Sequence, residues 1–289
     1  MELPSGTDNH RTRRWLLTRG AATAAAVAVG SVWAAPSAGA ALATVDMELV
    51  LVAALVDPPK ADTGLTPGCG PHVLPVEQAL DAKNYLAASA VDGHYGTSTI
   101  TAYAAYQQSL GYTGIDANGL PGATSLTSLG ANRYTVIHPV RAGSRTESYG
   151  GKRVNARTKS MLANADGKVS FSITLTQGSY TSSNPDSAGT HDGGGVVDIG
   201  VSSLSTTQRW QLVKALRQVG FAAWLRTPDQ GFAYHIHAVA VADPDLSKQA
   251  QAQVHDYYFG KNGLASHAAD NTPSSYRVPF TWWEKYSRG

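Results

Sequence analysis

A single cysteine, Cys69, is all the thiol chemistry that these 289 residues carry. A disulfide framework within the chain and a thiolate zinc cluster are both excluded, so any metal must be held by histidine and carboxylate. Charge is also sparse, at 15% of residues. Lys and Arg number 23 against 21 Asp and Glu, and four of the former and two of the latter fall within the first forty residues. The rest of the chain is balanced and has no basic field to gather phosphates, which sets nucleic acid aside as a partner. No acid pair stands in a motif of the kind that glycoside hydrolysis requires. A hydrophobic content of 43% provides for a packed core, with room for two modest domains, and excludes a disordered chain.

The amino-terminal forty residues form a separate unit of composition. Residues 12–18 read T-R-R-W-L-L-T, an Ala/Val-rich stretch runs from Ala21 to Ala35, and Ser37-Ala38-Gly39-Ala40 follows. A charged start, a short apolar middle and an A-x-A end describe an export signal, and the adjacent Arg13 and Arg14 point to the twin-arginine route. The expectation is a secreted or cell-wall protein with residues 1–40 removed and no membrane contact afterwards; an uncleaved anchor is the alternative. Residues 41–71, with Pro58, Pro59, Pro67, Gly68, Gly70 and Pro71, have the composition of a linker. The apolar run Leu49 to Val56 inside it is too short to span a bilayer.

Residues 72–131 carry a compact helical pattern. Val76, Ala79, Leu80 and Tyr85 stand at helical spacing, and a second helix starts near Thr97 with Ile100, Tyr103, Ala104, Tyr106 and Leu110 on its apolar face. A third begins at Thr124, and both threonines are candidate N-caps. The loops between them read D-G-x-x-G-x-x-T from Asp92 and D-x-x-G-x-x-G-x-T from Asp116, bracketing Tyr106-Gln107. Over Leu74 to Gly130 this arrangement resembles the peptidoglycan-binding domain found beside bacterial wall hydrolases. The resemblance implies docking on cell-wall polymer; turn and cap chemistry alone would make the same residues a helical spacer.

Residues 132–289 interleave short strands with helices and read as α+β, with a mostly antiparallel sheet. Strands are expected over Phe171–Thr176, Gly195–Ile199, Phe221–Leu225 and Tyr234–Ala242, and helices over Val154–Ala165, Thr206–Val219 and Leu246–Tyr258. The chemistry concentrates at two places. In Thr190-His191-Asp192-Gly193-Gly194-Gly195-Val196-Val197-Asp198 an imidazole and a carboxylate flank three glycines that permit tight turning. In Tyr234-His235-Ile236-His237 strand alternation puts both imidazoles on one face. His191, Asp198 and one of the two strand histidines would supply three ligands to a zinc ion and leave a fourth position open. Asp192, beside His191, reads as a turn residue or as a partner that braces a ligand rather than as a ligand itself.

His-x6-Asp across a glycine turn, followed some forty residues on by His-x-His, resembles the zinc D-Ala-D-Ala metallopeptidases and the related hedgehog-type zinc fold, over roughly Asn155 to Ala242. The pattern S-x-H-x-x-G-x-A-x-D is met by His191, Gly194 and Asp198, with Gly189 in place of Ser and Val196 in place of Ala. The resemblance implies Zn2+ on His191, Asp198 and His237. It also implies a carboxylate three residues before the last histidine as catalytic base, where this chain has Tyr234. Asp229 and His235 are the remaining catalytic candidates. An Arg upstream of the first histidine is missing from Thr176-Gln177-Gly178-Ser179-Tyr180, and Arg226 is a possible substitute. Carboxypeptidase and endopeptidase cleavage of stem peptides therefore both stay open. The rival expectation is a catalytically degenerate, zinc-containing peptidoglycan-binding protein.

Overall fold

The computed structural model describes residues 41–58, 64–183 and 185–289. The expected export signal, residues 1–40, lies outside the described residues. Strand alternation sets the architecture of the rest. Strands β5 (Leu175–Gln177), β6 (Val196–Gly200), β7 (Phe221–Arg226) and β8 (His235–Ala240) form an antiparallel sheet in the order β5-β6-β8-β7. One face presents Val197, Ile199, Phe221, Ala223, Leu225, Ile236, Ala238 and Ala240 to helices α5 (Ala156–Asp166) and α6 (Thr206–Gln218). The other presents Val196, Ala222, Trp224 and Val239 to the opposite layer, built from α1 (Met47–Val56) and α7 (Lys248–Tyr258). An antiparallel pair, β3 (Glu147–Tyr149) and β4 (Lys152–Val154), precedes α5. The fold is α+β with small, mostly antiparallel sheets. The strand expected over Phe171–Thr176 is displaced to β5, Leu175–Gln177: Thr174 still accepts the Gly200 amide at 2.9 Å, but the residues before it have no pairing with β6.

Local signals start the helices around the sheet. Asn155 accepts the Thr158 amide at 2.7 Å, Ser205 and Gln208 form a reciprocal capping box, and Ser247 caps α7 at Ala250. Each side chain satisfies a backbone donor that has no partner inside its helix.

The described residues of the stretch expected as linker, 41–58 and 64–71, include a strand and a helix. β1 (Ala43–Asp46) pairs in parallel with β2 (Tyr134–Ile137), and Asp46 caps α1 by accepting the Glu48 amide at 3.0 Å. Every residue of α1 except Leu49 is buried. A helix apolar on all sides belongs in a core, and this explains the short apolar run Leu49 to Val56. Its one acid, Glu48, accepts from Trp282 Nε1 and Arg288, so the carboxy-terminal segment closes over it.

The three expected helices follow as α2 (Gly70–Asp81), α3 (Thr97–Ser109) and α4 (Ala123–Leu129). Their N-caps are Cys69, Gly96 and Gly122; Thr97 and Thr124 fall one and two residues inside the helices rather than at the caps. The loop motifs have a structural account. Buried Glu77 accepts the amides of Asp92 and Gly93 at 3.0 and 2.7 Å and the Thr99 hydroxyl at 2.9 Å. Gln107 clamps the second loop by accepting from the Gly119 amide and donating to the Leu120 carbonyl. Residues 41–289 pack as one compact unit, because the core of α1 to α4 continues without a break into Trp224, Val239, Leu246, Ala250 and Val254. No helix among the described residues is long and apolar enough to cross a membrane.

Candidate metal centre

The turn at Thr190–Asp192 delivers His191 to the mouth of β6, and close backbone approach shapes the three glycines between that turn and the strand. A Cβ on Gly193 would collide with the Asp245 carbonyl oxygen, and one on Gly194 would meet the Tyr180 hydroxyl at 2.5 Å. The Gly194 amide donates to that same Asp245 carbonyl at 2.7 Å. Only Gly195, at φ +75°, needs glycine for its backbone conformation as well. The loop at Asp245 thus presses the chain into the bend that aims His191 back at Asp198.

On the sheet, Asp198 lies directly across from His237, and His237 directly across from Trp224. Asp198 Oδ1 is 2.8 Å from His237 Nδ1, and Oδ2 is 3.4 Å from His191 Nε2. The remaining nitrogens are anchored: His191 Nδ1 to the Gly178 carbonyl at 2.9 Å, His237 Nε2 to Gln253 Oε1 at 2.9 Å. Both anchors are acceptors, so both anchored nitrogens carry hydrogen and donate. With each ring neutral, two lone pairs and a carboxylate face one another, an arrangement that a shared metal cation would relieve. One ligand atom from each of the three residues lies within 4.8 Å of the others, and the group can hold a metal ion.

Electrostatics agree. Burial alone would raise the Asp198 carboxyl, but the adjoining His191 and His237 outweigh burial and hold it well below the usual carboxylate range. Burial lowers His237 and outweighs the pull of Asp198. An ionised Asp198 and a neutral His237 are protonation states that ligation requires.

His235 stands one pleat further along the same face. Its Nδ1 donates to the Ala233 carbonyl at 2.8 Å, and its Nε2 lies 3.8 Å from Asp198 Oδ1. Together these groups floor a cleft of 530 Å³ between the sheet and α7. Arg226 lines it, buried and spending Nη1 on the Asn262 carbonyl at 2.6 Å; desolvation lowers its pKa to about 10. Asp229 is different. It is exposed on the turn Pro228–Gln230 and is not among the residues lining the cleft. Tyr234 points away as well, exposed and under the Arg209 guanidinium at 4.1 Å.

Several residues of the cleft carry no motif in the sequence. Gln249, Gln253 and Asp256 form the wall contributed by α7, and His267 donates to Asp256 at 2.9 Å beside them. The i, i+4, i+7 spacing of the α7 trio on one helix face was the available signal. His267 is exposed and lines the cleft, whereas His94 is buried. Gly178, Ser179 and Tyr180, in the stretch lacking the expected Arg, brace the site: they anchor His191, Val196 and Asp245. Comparisons with protein-family models, with curated proteins and with solved structures found no match.

Proposed function

We propose that this chain is an exported cell-wall hydrolase, a zinc metallopeptidase that cleaves D-amino-acid peptide bonds in peptidoglycan stem peptides. The observation that supports it most is the convergence of His191 Nε2, His237 Nδ1 and the Asp198 carboxylate in an open cleft, with each imidazole anchored through its other nitrogen. Two imidazoles and one carboxylate are a donor set of catalytic zinc sites, which keep a position for water or substrate. When bound, zinc polarises the scissile carbonyl and lowers the pKa of water toward about 7.

The chain's own groups divide the remaining work. His235 is the proton carrier, because its Nδ1 is fixed on Ala233 and its Nε2 faces the cleft beside Asp198. It takes the proton of the attacking water and delivers it to the departing amine. Asp229 plays no part, for the reason of its position. The helical segment 72–131 docks on wall polymer and raises the local concentration of stem peptides. The pattern of residues 1–40 supports secretion to the wall by the twin-arginine route.

One observation favours the rival reading of a zinc-containing, catalytically degenerate wall binder: no carboxylate occupies the position before His235, where Tyr234 is exposed. A single experiment separates the two. The zinc-loaded protein is incubated with purified peptidoglycan and with soluble stem peptides ending in D-Ala-D-Ala, and the digests are read by mass spectrometry. Released D-Ala or opened crosslinks establish the peptidase. Metal content and wall pull-down without released amine leave the binder.

A further inference from the structure

Gln253 stands across the cleft from the sheet and touches His237 from a different element, the helix α7. Its amide is held at both ends. Oε1 lies 2.9 Å from His237 Nε2, and Nε2 lies 3.0 Å from the Gly263 carbonyl oxygen. A carbonyl oxygen only accepts, so the Gln253 nitrogen must face Gly263 and its oxygen must face the imidazole. The orientation of this amide is therefore dictated by the backbone at Gly263. That backbone is itself fixed: Gly263 sits at φ +67°, and a Cβ there would meet the Trp224 ring at 2.9 Å. Trp224 Nε1 donates to the Lys261 carbonyl at 2.9 Å, and the Trp224 ring stacks on His237 with centroids 6.3 Å apart.

We infer that Gln253 is a positioning residue for the metal centre: it accepts the His237 Nε2 hydrogen and so commits Nδ1, the nitrogen beside Asp198, to the metal. The inference rests on the metal-centre reading above and adds a chain of control from the 261–263 loop, through an amide, to one ligand atom. A ring with its hydrogen so placed is both oriented and made a better donor.

The test is zinc affinity of the full chain by competition with a chromophoric chelator, together with ¹⁵N-resolved NMR of the His237 ring in the zinc-loaded protein. Gln253→Met keeps the volume and removes the acceptor; its zinc affinity should fall by about 10- to 100-fold. Gln253→Glu restores an acceptor oxygen and should recover most of that loss. In the unaltered protein the ring should show an exchange-protected Nε2 hydrogen with metal on Nδ1, retained in Gln253→Glu and lost in Gln253→Met. Equal affinity in Gln253→Met, or a ring that binds metal through Nε2, overturns the inference while leaving the metal centre standing. A protein that takes up no zinc at all removes both. The ring signal of the unaltered protein decides the matter even if a variant fails to fold.

Discussion

Arg145 grips Asp245 with two hydrogen bonds, Nη2 to Oδ1 at 2.6 Å and Nε to Oδ2 at 2.8 Å, and with its remaining donors reaches Asp116 in the loop before α4. Asp245 is buried, accepts the Tyr180 hydroxyl at 2.5 Å, and through its carbonyl holds Gly194. One guanidinium therefore ties the helical segment to the loop that bends the chain between His191 and Asp198. Arg145→Ala should lower stability by about 1–3 kcal/mol, the range for a charged hydrogen-bond partner lost from a buried acid. Denaturant unfolding measures it, and zinc affinity should weaken in the same variant.

The glycine bend should be intolerant of a methyl group where backbone is nearest. Gly193→Ala drives a Cβ into the Asp245 carbonyl oxygen, so a severe stability loss and loss of metal binding are expected. Gly231→Ala has open space around it and only the strain of φ +85°, for a cost of about 1–2 kcal/mol. Thermal melts and metal content of the two variants should differ accordingly.

Position separates the two candidate proton carriers. His235→Ala should abolish peptide hydrolysis, or reduce it by at least about 100-fold, the lower range for loss of a general base, with zinc still bound. Asp229→Asn should behave as the unaltered protein. Steady-state rates on a soluble stem peptide, with metal content measured in parallel, check both.

Glu77 gives a pH signature far from the metal. Its burial pushes the carboxyl up from 4.5 to about 7 despite the donors of Gly93, Thr99 and Asp92. The folded protein therefore holds a proton that the unfolded chain has released between those values, and this contribution to stability is complete below about 4.5 and lost as the pH rises through about 7. Relative to Glu77→Gln, the unaltered protein should lose stability across that window, by at most about 3 kcal/mol at 1.36 kcal/mol per pH unit. Melting curves of both proteins from pH 4 to 8 provide the difference.

The sequence reads well where side-chain period and chemistry coincide. His235 and His237 share a face because strands alternate, and the helices expected over Thr206–Val219 and Leu246–Tyr258 form over Thr206–Gln218 and Lys248–Tyr258. It reads poorly where a segment is defined by its neighbours. Pro and Gly around residues 58–71 suggest a linker, yet Leu49 to Val56 is a core helix whose partners, such as Val254, lie some two hundred residues away. Gln253 is harder to read for a related reason: its spacing with Gln249 and Asp256 marks a shared helix face, but what that face meets is set only when α7 folds over β8. The triple glycine is legible as a turn, but the need for it at Gly193 and Gly194 comes from Asp245, a contact that no local pattern announces.

Because β1 and α1 are walls of the molecule rather than a tether, trimming from the amino end has a hard stop. A processing enzyme can remove everything before Ala43 without disturbing a described strand or helix, whereas a cut a dozen residues later would strip away the surface on which α7 rests. Any amino-terminal cut that leaves β1 and α1 whole therefore leaves the support of α7, and with it one wall of the cleft, in place.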